Sequence, residues 1–359
     1  MPEETIELSK RTIKKILNDA EGAARAADLV YVSDSDPGIK RVRRKDGFRY
    51  VTEKSKVSKE DLKRIRSLVI PPAWEDVWIC GLANGHLQAT GLDARRRKQY
   101  RYHPRWNMLR SQTKFYRTYE FGKALPAIRL KIEKDLSLPG LPVEKVLAAV
   151  VSLMERTNIR IGNSVYEKLY GSFGLTTLKN KHVSLRGHTV AFAFKGKKGI
   201  EHEISLKSKK LAAIVKKCRD IPGNELFQYF TEEGERRSID SGMVNEYLKN
   251  ISEGDFTAKD FRTWAGTVQA MIAFKELGMA ESETETKRKI AEVYKIVSKQ
   301  LGNTANVCKK YYVHPAVINM YESRGLEKYL SQLDAPEADE EQPGLTREEK
   351  VVMKLLASS

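Results

Sequence analysis

What this chain lacks narrows its chemistry before any motif is considered. Its 359 residues include three cysteines, Cys80, Cys218 and Cys308, odd in number and far apart. That spacing makes neither a disulfide framework nor a zinc pattern. The six histidines, at positions 86, 103, 182, 188, 202 and 314, show no paired ligand spacing, so reduced thiols and no structural metal are expected. No run of about 18 apolar residues occurs that would cross a bilayer. The opening Met1-Pro2-Glu3-Glu4-Thr5-Ile6-Glu7 lacks the basic and apolar regions of an export signal. A Gly-rich phosphate loop of the Walker kind is also missing, which leaves ATP use without support. A cytoplasmic protein with no cofactor and no membrane partner is therefore expected.

What is abundant is positive charge. Lys and Arg number 64 against 47 Asp and Glu, giving a formal charge of +17. A surplus of this size calls for a polyanion as partner. With the membrane set aside, that partner is nucleic acid, and the chain is expected with the nucleoid. Hydrophobic residues at 41% suffice for a core, and the length favours two domains over one.

The patterns change along the chain. Residues 8–28 read as a helix around Ile13, Ile16 and Leu17, after which Asp34-Ser35-Asp36-Pro37-Gly38-Ile39 is turn chemistry. Short apolar runs at 48–51, 68–72, 77–82 and 86–90 then alternate with turns, as in a small β-rich domain. Its end, Arg95-Arg96-Arg97-Lys98-Gln99-Tyr100-Arg101-Tyr102-His103-Pro104-Arg105-Trp106, interleaves cations with aromatics. Cations hold phosphates while aromatic and amide groups meet bases or sugars. Arg95, Arg97, Lys98, Gln99, Tyr100, Arg101 and Tyr102 are thus candidate DNA contacts.

From Arg110 onward the pattern is helical, which places a domain boundary at 108–109 within an exposed linker over 106–112. Val143, Val146, Leu147, Val150, Val151 and Met154 recur at helical spacing and make one buried face. The chain then reads Arg156-Thr157-Asn158-Ile159-Arg160-Ile161-Gly162-Asn163, with Arg160 just inside an element end. Residues 183–206 switch to period two. Val190, Phe192 and Phe194 lead into a turn at Gly196-Lys197-Lys198-Gly199, and Ile200, His202 and Ile204 alternate on the return. A helix that starts at a Thr257 cap carries Phe261, Trp264, Val268, Met271 and Ile272 as a buried stripe, with Lys259, a further candidate DNA contact, and Arg262 in its first turns. An acidic run, 334–341, reads as a linker to a short final helix over 345–356. The expected class is α+β: a β-rich N-terminal domain (1–108), a mainly α-helical catalytic domain with a small antiparallel sheet (109–333), and a tail (334–359).

One stretch organises the rest: Leu301-Gly302-Asn303-Thr304-Ala305-Asn306-Val307-Cys308-Lys309-Lys310-Tyr311-Tyr312-Val313-His314-Pro315. An amphipathic helix breaks at Gly302 and restarts with Thr304 as cap. A phenol titrates near pH 10, so it attacks at neutral pH only where cations or a base lower the cost of ionisation. Tyrosines at the ends of basic helices ordinarily pack their rings and wet their hydroxyls. The stretch gains meaning only from partners elsewhere.

Read together, these stretches resemble the type IB DNA topoisomerases of the small bacterial and poxvirus kind, over nearly the whole chain from Gly91 to Tyr312. The family's first catalytic arginine lies in Arg-Ile-Gly-Asn, matched by Arg160 to Asn163. Its lysine sits on a hairpin tip after glycine, matched by Gly196-Lys197, and its second arginine lies in Lys-Asp-Leu-Arg-Thr-Tyr, matched by Lys259 to Trp264. The nucleophile follows nine residues after the polar residue of Gly-His-Thr-Pro, which selects Tyr312 by counting from Asn303 and leaves Tyr311, about 100° away around the helix, expected to pack its ring against the domain. Viral members have histidine at the position of Asn303 and proline at that of Ala305, and aspartate is common at that of Lys198. Asparagine donates a neutral hydrogen bond and brings no charge, so more of the work falls to the arginines.

The resemblance implies relaxation of supercoiled duplex DNA through a 3′-phosphotyrosyl intermediate, without ATP or metal, by a monomer that clamps DNA. It implies catalytic roles for Arg160, Lys197, Arg262, Asn303 and Tyr312. A tyrosine recombinase uses a similar set, but carries histidine three positions before its second arginine, where this chain has Lys259. A non-enzymatic DNA-compacting protein fits the composition and leaves the spaced motifs unexplained.

Overall fold

The computed structural model describes residues 6, 12, 13, 16, 19–45, 47–52, 57–94, 96, 98–252, 254–334 and 344–358. They fall into two units, Met1–Arg117 and Thr118–Ser359.

The first unit contains helix α1 (Ala20–Ala26), strands β1 (Gly38–Arg44) and β2 (Gly47–Val51), helix α2 (Lys59–Ser67), and strands β3 (Glu75–Cys80), β4 (Leu87–Leu92) and β5 (Lys98–Tyr102). The strands form one antiparallel sheet in the order β2-β1-β3-β4-β5. Ile39, Val77, Ile79 and Ala89 from the sheet pack on Ile65 of α2. Strand β1 begins inside the stretch read as a turn, because its Lys and Arg residues mask the alternation. The run 68–72 is not a strand. Leu68 caps α2, Val69 takes a left-handed φ of 47°, and two prolines follow. Of the helix expected over 8–28, Ala20–Ala26 is present, while most of 8–18 lies outside the described residues.

The expected linker at 106–112 is helical. Helix α3 runs unbroken over Pro104–Leu136, and the division between units falls within it at Arg117. Trp106 and Leu109, one turn apart, bury against Ala23, Ala24 and Ala27 of the first unit, which favours helix over a loop. Past Thr118, the same helix buries Phe121, Leu125, Ile128, Ile132 and Leu136 in the core of the second unit.

The second unit is built around helix α4 (Val143–Thr157), whose stripe from Val146 to Met154 is fully enclosed. Short helix α5 (Ser164–Tyr170) follows, capped by the Asn163 side chain. Strands β6 (Val183–Arg186), β7 (Thr189–Lys195) and β8 (Glu201–Lys207) form an antiparallel sheet in that order. Helix α6 (Lys209–Asp220), the ribbon of β9 (Gln228–Phe230) and β10 (Arg236–Ser238), and helix α7 (Ser241–Ser252) complete this part. Then come α8 (Ala258–Leu277), α9 (Glu283–Leu301), α10 (Ala305–Tyr311), α11 (Pro315–Glu322) and α12 (Glu327–Leu330). No described helix is long and apolar enough to cross a membrane.

Of the acidic run, residues 335–341 lie outside the described residues. The final helix, α13 (Arg347–Ala357), is no appendage. Val351, Val352, Leu355 and Leu356 join the core of the second unit, and Glu349 accepts two hydrogen bonds from Arg129 at 2.8 Å and one from Trp264 Nε1 at 2.9 Å.

Candidate active site

Two helix ends and one hairpin converge. Helix α4 stops at Thr157 because Asn158 turns left-handed at φ 57°, a position Asn tolerates, and the chain runs on through Arg160 without regular secondary structure. Arg160 therefore lies beyond the end of its helix rather than just inside an element. Helix α9 ends in the same way at Gly302, with φ 57°. Thr304 then caps α10 by accepting from Val307 N.

The two arginines are seated on the carbonyls these ends leave over. Arg262, in the second turn of α8 after the Thr257–Asp260 capping box, is 6% exposed. Its guanidinium donates to Asn158 O at 2.5 Å and to Leu301 O at 2.6 Å. Arg160 donates to Gly302 O at 3.1 Å and to Asn303 Oδ1 at 2.6 Å. Terminal carbonyls carry the negative end of a helix dipole, which offsets part of the cost of burying a cation. Arg262 Nε–H has no partner among the described residues. Burial and the like charge of Arg160 push the Arg262 guanidinium below its ordinary value, and Tyr312 opposes them. An arginine starts so high that it stays charged throughout.

Tyr312 caps α10 and is buried, 8% exposed, with the Arg262 guanidinium carbon 5.2 Å from its ring centre. Burial alone raises its phenol. Arg262 and Arg160, through charge and hydrogen bonding, more than offset that and hold it below the usual tyrosine range. Its backbone is gripped by α8. Gly266 lies so close that a Cβ there would be 2.5 Å from Tyr312 O. Thr267 Oγ1, which donates to Thr263 O at 2.8 Å, lies 3.4 Å from the same carbonyl and accepts from His314 N at 3.2 Å, while Thr263 Oγ1 lies 3.4 Å from both Lys259 O and Tyr311 O. These small residues escaped the sequence reading, although their i, i+3, i+4 spacing from Thr263 is the mark of a helix face that another backbone approaches.

Lys197 opens the β7–β8 turn, Lys197–Gly199, where Lys198 adopts φ 63°. Gly196 N donates to Ile200 O at 2.7 Å and closes the hairpin. Lys197 is exposed at this tip, with Nζ 5.6 Å from the ring centre of Tyr166 on α5. Partial desolvation and the charges of Arg160, Lys198 and Arg262 hold its ammonium below the usual lysine range, against the pull of Tyr312. The expected five, Arg160, Lys197, Arg262, Asn303 and Tyr312, are thus brought together within the second unit. Tyr311 departs from expectation. Instead of packing its ring it is 38% exposed, flanked by Lys259 Nζ at 5.9 Å and Lys310 Nζ at 5.4 Å. Rotation of about 100° per residue separates it from Tyr312, the buried one of the two.

Of the expected DNA contacts, Arg95 and Arg97 lie outside the described residues. On β5, Tyr100 is 47% exposed and stacks on Tyr102 at 5.9 Å. Lys98 pairs with Asp34 at 2.5 Å, Gln99 donates to Asp93 at 2.9 Å, and Arg101 donates to Val69 O at 3.1 Å beside the Trp74 ring. Lys259 is exposed on α8.

Comparison with known proteins joins this geometry to a family. Residues 103–337 match the catalytic core of eukaryotic DNA topoisomerase I, and residues 47–93 match the N-terminal domain of bacterial DNA topoisomerase IB. The chain belongs to the type IB DNA topoisomerases. It is 30% identical over 295 residues to DNA topoisomerase 1B of Acanthamoeba polyphaga mimivirus, covering 80% of this chain and 88% of that one. It is 25% identical over 264 residues to DNA topoisomerase 1B of Vaccinia virus and to DNA topoisomerase I of Monkeypox virus, covering 72% of this chain and 79% of theirs. As a type IB topoisomerase it is an isomerase with DNA as substrate. The match to the core ends before α13, whose Glu349 nonetheless reaches the helix that bears Arg262.

Proposed function

We propose that this topoisomerase relaxes supercoiled duplex DNA by transient cleavage of one strand, with Tyr312 as nucleophile. The observation that carries this reading is the Tyr312 phenol, buried between two guanidinium groups and within the field of a lysine at a hairpin tip. The phenolic oxygen attacks the scissile phosphorus as its proton passes to solvent. The bond to the 5′ oxygen breaks, leaving a 3′-phosphotyrosine and a 5′ hydroxyl. Charge gathers on the non-bridging oxygens, where Arg160 and Arg262 present always-charged forks and Asn303 a neutral donor. Two such cations supply the stabilisation without a metal.

The departing 5′ oxygen is a poor alkoxide and takes a proton from Lys197, whose lowered pKa suits it to the role of general acid. The ester conserves the energy of the bond it replaced, so religation by the 5′ hydroxyl needs no ATP. Between the steps the free end rotates and supercoils are lost. Tyr100, Arg101 and Lys98 on β5 and Lys259 on α8 would hold phosphates and sugars, with one monomer clamping the duplex. Incubation with supercoiled plasmid in EDTA without ATP tests the whole reading. A ladder of relaxed circles is expected; site-paired recombinants would mark a recombinase, and an unchanged linking number a mere DNA binder.

A further inference from the structure

We propose that His202 is a positioning residue, a ring wedged between the two turns that carry Lys197 and Asn303, which holds the general-acid hairpin at the scissile phosphate. The proposal rests on the reading of Lys197 as the general acid.

His202 lies on β8 directly across from Phe194 of β7, and the two rings stack at 5.0 Å with an interplanar angle of 17°. That stacking fixes the plane of the imidazole. One edge of the ring faces Gly196, where a Cβ would lie 2.5 Å from Cδ2 and 2.6 Å from Nε2. The adjoining edge faces Gly302, where a Cβ would lie 2.8 Å from Cε1 and 3.4 Å from Nε2. Gly196 immediately precedes Lys197, and Gly302 immediately precedes Asn303. A single flat side chain thus spaces the hairpin from the turn that holds Arg160 through Gly302 O and Asn303 Oδ1. Glycine at 302 is required twice, by its φ of 57° and by the ring. At 196 the backbone is ordinary, φ −90° and ψ −166°, so only the ring calls for glycine there.

A spacer matters because an exposed hairpin tip has several orientations, of which few bring Nζ to the 5′ oxygen. Catalytic groups misplaced by about 1 Å lose on the order of 100-fold in rate. Burial and the charges of Arg160 and Arg262 favour the neutral imidazole, against Glu201 of its own strand. The ring therefore fills the gap without adding a further cation beside Lys197.

The test is single-turnover cleavage of a normal oligonucleotide duplex and of one whose bridging 5′ oxygen is sulfur, a leaving group that needs no proton. His202→Ala is expected to slow the normal substrate about 10- to 100-fold and to recover most of that loss on the sulfur substrate. Lys197→Ala run in parallel checks the underlying reading. Rescue of Lys197→Ala with none for His202→Ala overturns the positioning role and leaves the general acid standing. No rescue of Lys197→Ala overturns the general acid instead, and the wedge is then judged by a cycle with Gly196→Ala. The methyl of Gly196→Ala collides with the ring in the wild type and fills part of its space in His202→Ala. The double variant is thus expected to cleave faster than the product of the single effects predicts. Additive effects in folded proteins would overturn the wedge, and this cycle decides the matter too if His202→Ala alone fails to fold.

Discussion

The guanidinium carbon of Arg262 lies 5.2 Å from the centre of the Tyr312 ring, with that guanidinium anchored to carbonyls at the ends of two different helices. The anchoring explains how a cation can be both buried and in place before DNA arrives. Donors that need no reorganisation at the moment of reaction are the most effective stabilisers of developing charge. The same contact draws the phenol toward ionisation, so in the proposed mechanism one residue both prepares the nucleophile and receives the charge that its attack creates.

On the proposed mechanism Tyr312→Phe removes the covalent atom and little else. The variant is expected to fold and bind DNA, but to give neither relaxation nor a denaturant-resistant adduct on the 3′ end of a nick. Tyr311→Phe, at an exposed ring, is expected to keep the adduct and lose at most about 1 kcal/mol. Peptide mapping of trapped adduct reads both; phosphate on Tyr311, or on a 5′ end, would refute the assignment.

The pH profile of single-turnover cleavage should be bell-shaped. The rate rises as the Tyr312 phenol, held below its ordinary value, becomes easier to ionise. It falls again when the Lys197 ammonium, also held low, loses its proton. Both limbs should therefore lie below the free side-chain values of about 10 and 10.4. Lys197→Ala should erase the alkaline limb, as should the sulfur leaving group on wild-type enzyme. An alkaline limb that persists in both cases assigns it to another group.

Much of the candidate site was legible because the residues proposed to act in it are polar or charged groups in short local patterns. Arg160 before Gly162-Asn163, Lys197 after Gly196, Arg262 in the first turns of a capped helix and the Asn303–Tyr312 spacing can each be read from neighbours in the chain. Gly266, Thr263, Thr267 and His202 could not be read that way. Each is ordinary in composition and acquires its role from a backbone or ring that arrives from 40 or more positions away, as Tyr312 does at Gly266. The same reasoning covers the misread linker. Helix α3 continues through 106–112 because Trp106 and Leu109 find partners in α1, a contact that no local periodicity announces. Tyr311 was misjudged for a third reason. Excluding it from the phosphate says nothing about where its ring goes, and two lysines keep that ring at the surface.

Helix α13 should matter to folding of the catalytic unit although it lies past the matched core. Glu349 is the shared partner of Arg129 and Trp264, and it is buried. Glu349→Ala takes away the two-pronged partner of Arg129, which keeps only Glu155, and leaves Trp264 Nε1 without its acceptor; it is expected to cost about 1–3 kcal/mol. Thermal or urea unfolding measures it. A loss under about 1 kcal/mol would mean that water or Glu155, 2.8 Å from Arg129, takes over the pairing.

Gly266→Ala sets two effects against each other. Alanine is favoured over glycine inside a helix by roughly 0.5–1 kcal/mol, which alone would stabilise α8. The new methyl would, however, stand 2.5 Å from Tyr312 O and 3.0 Å from Tyr312 Cβ, and the nearer of these is backbone, which cannot swing aside as a flexible side chain would. Overpacking of this kind costs about 1–3 kcal/mol, so the net change in stability should lie between none and a loss of about 2.5 kcal/mol. Function should suffer more. Tyr312 is displaced at its own backbone, away from Arg262 and the phosphate, and a shift near 1 Å costs on the order of 100-fold in rate. Single-turnover adduct formation at saturating enzyme, set beside an unfolding curve and a binding isotherm, separates these effects. The expected pattern is nearly normal stability and DNA affinity with adduct formation slowed about 10- to 100-fold. Wild-type adduct rates in a folded Gly266→Ala protein would mean that the grip of α8 on the nucleophile is packing without catalytic consequence.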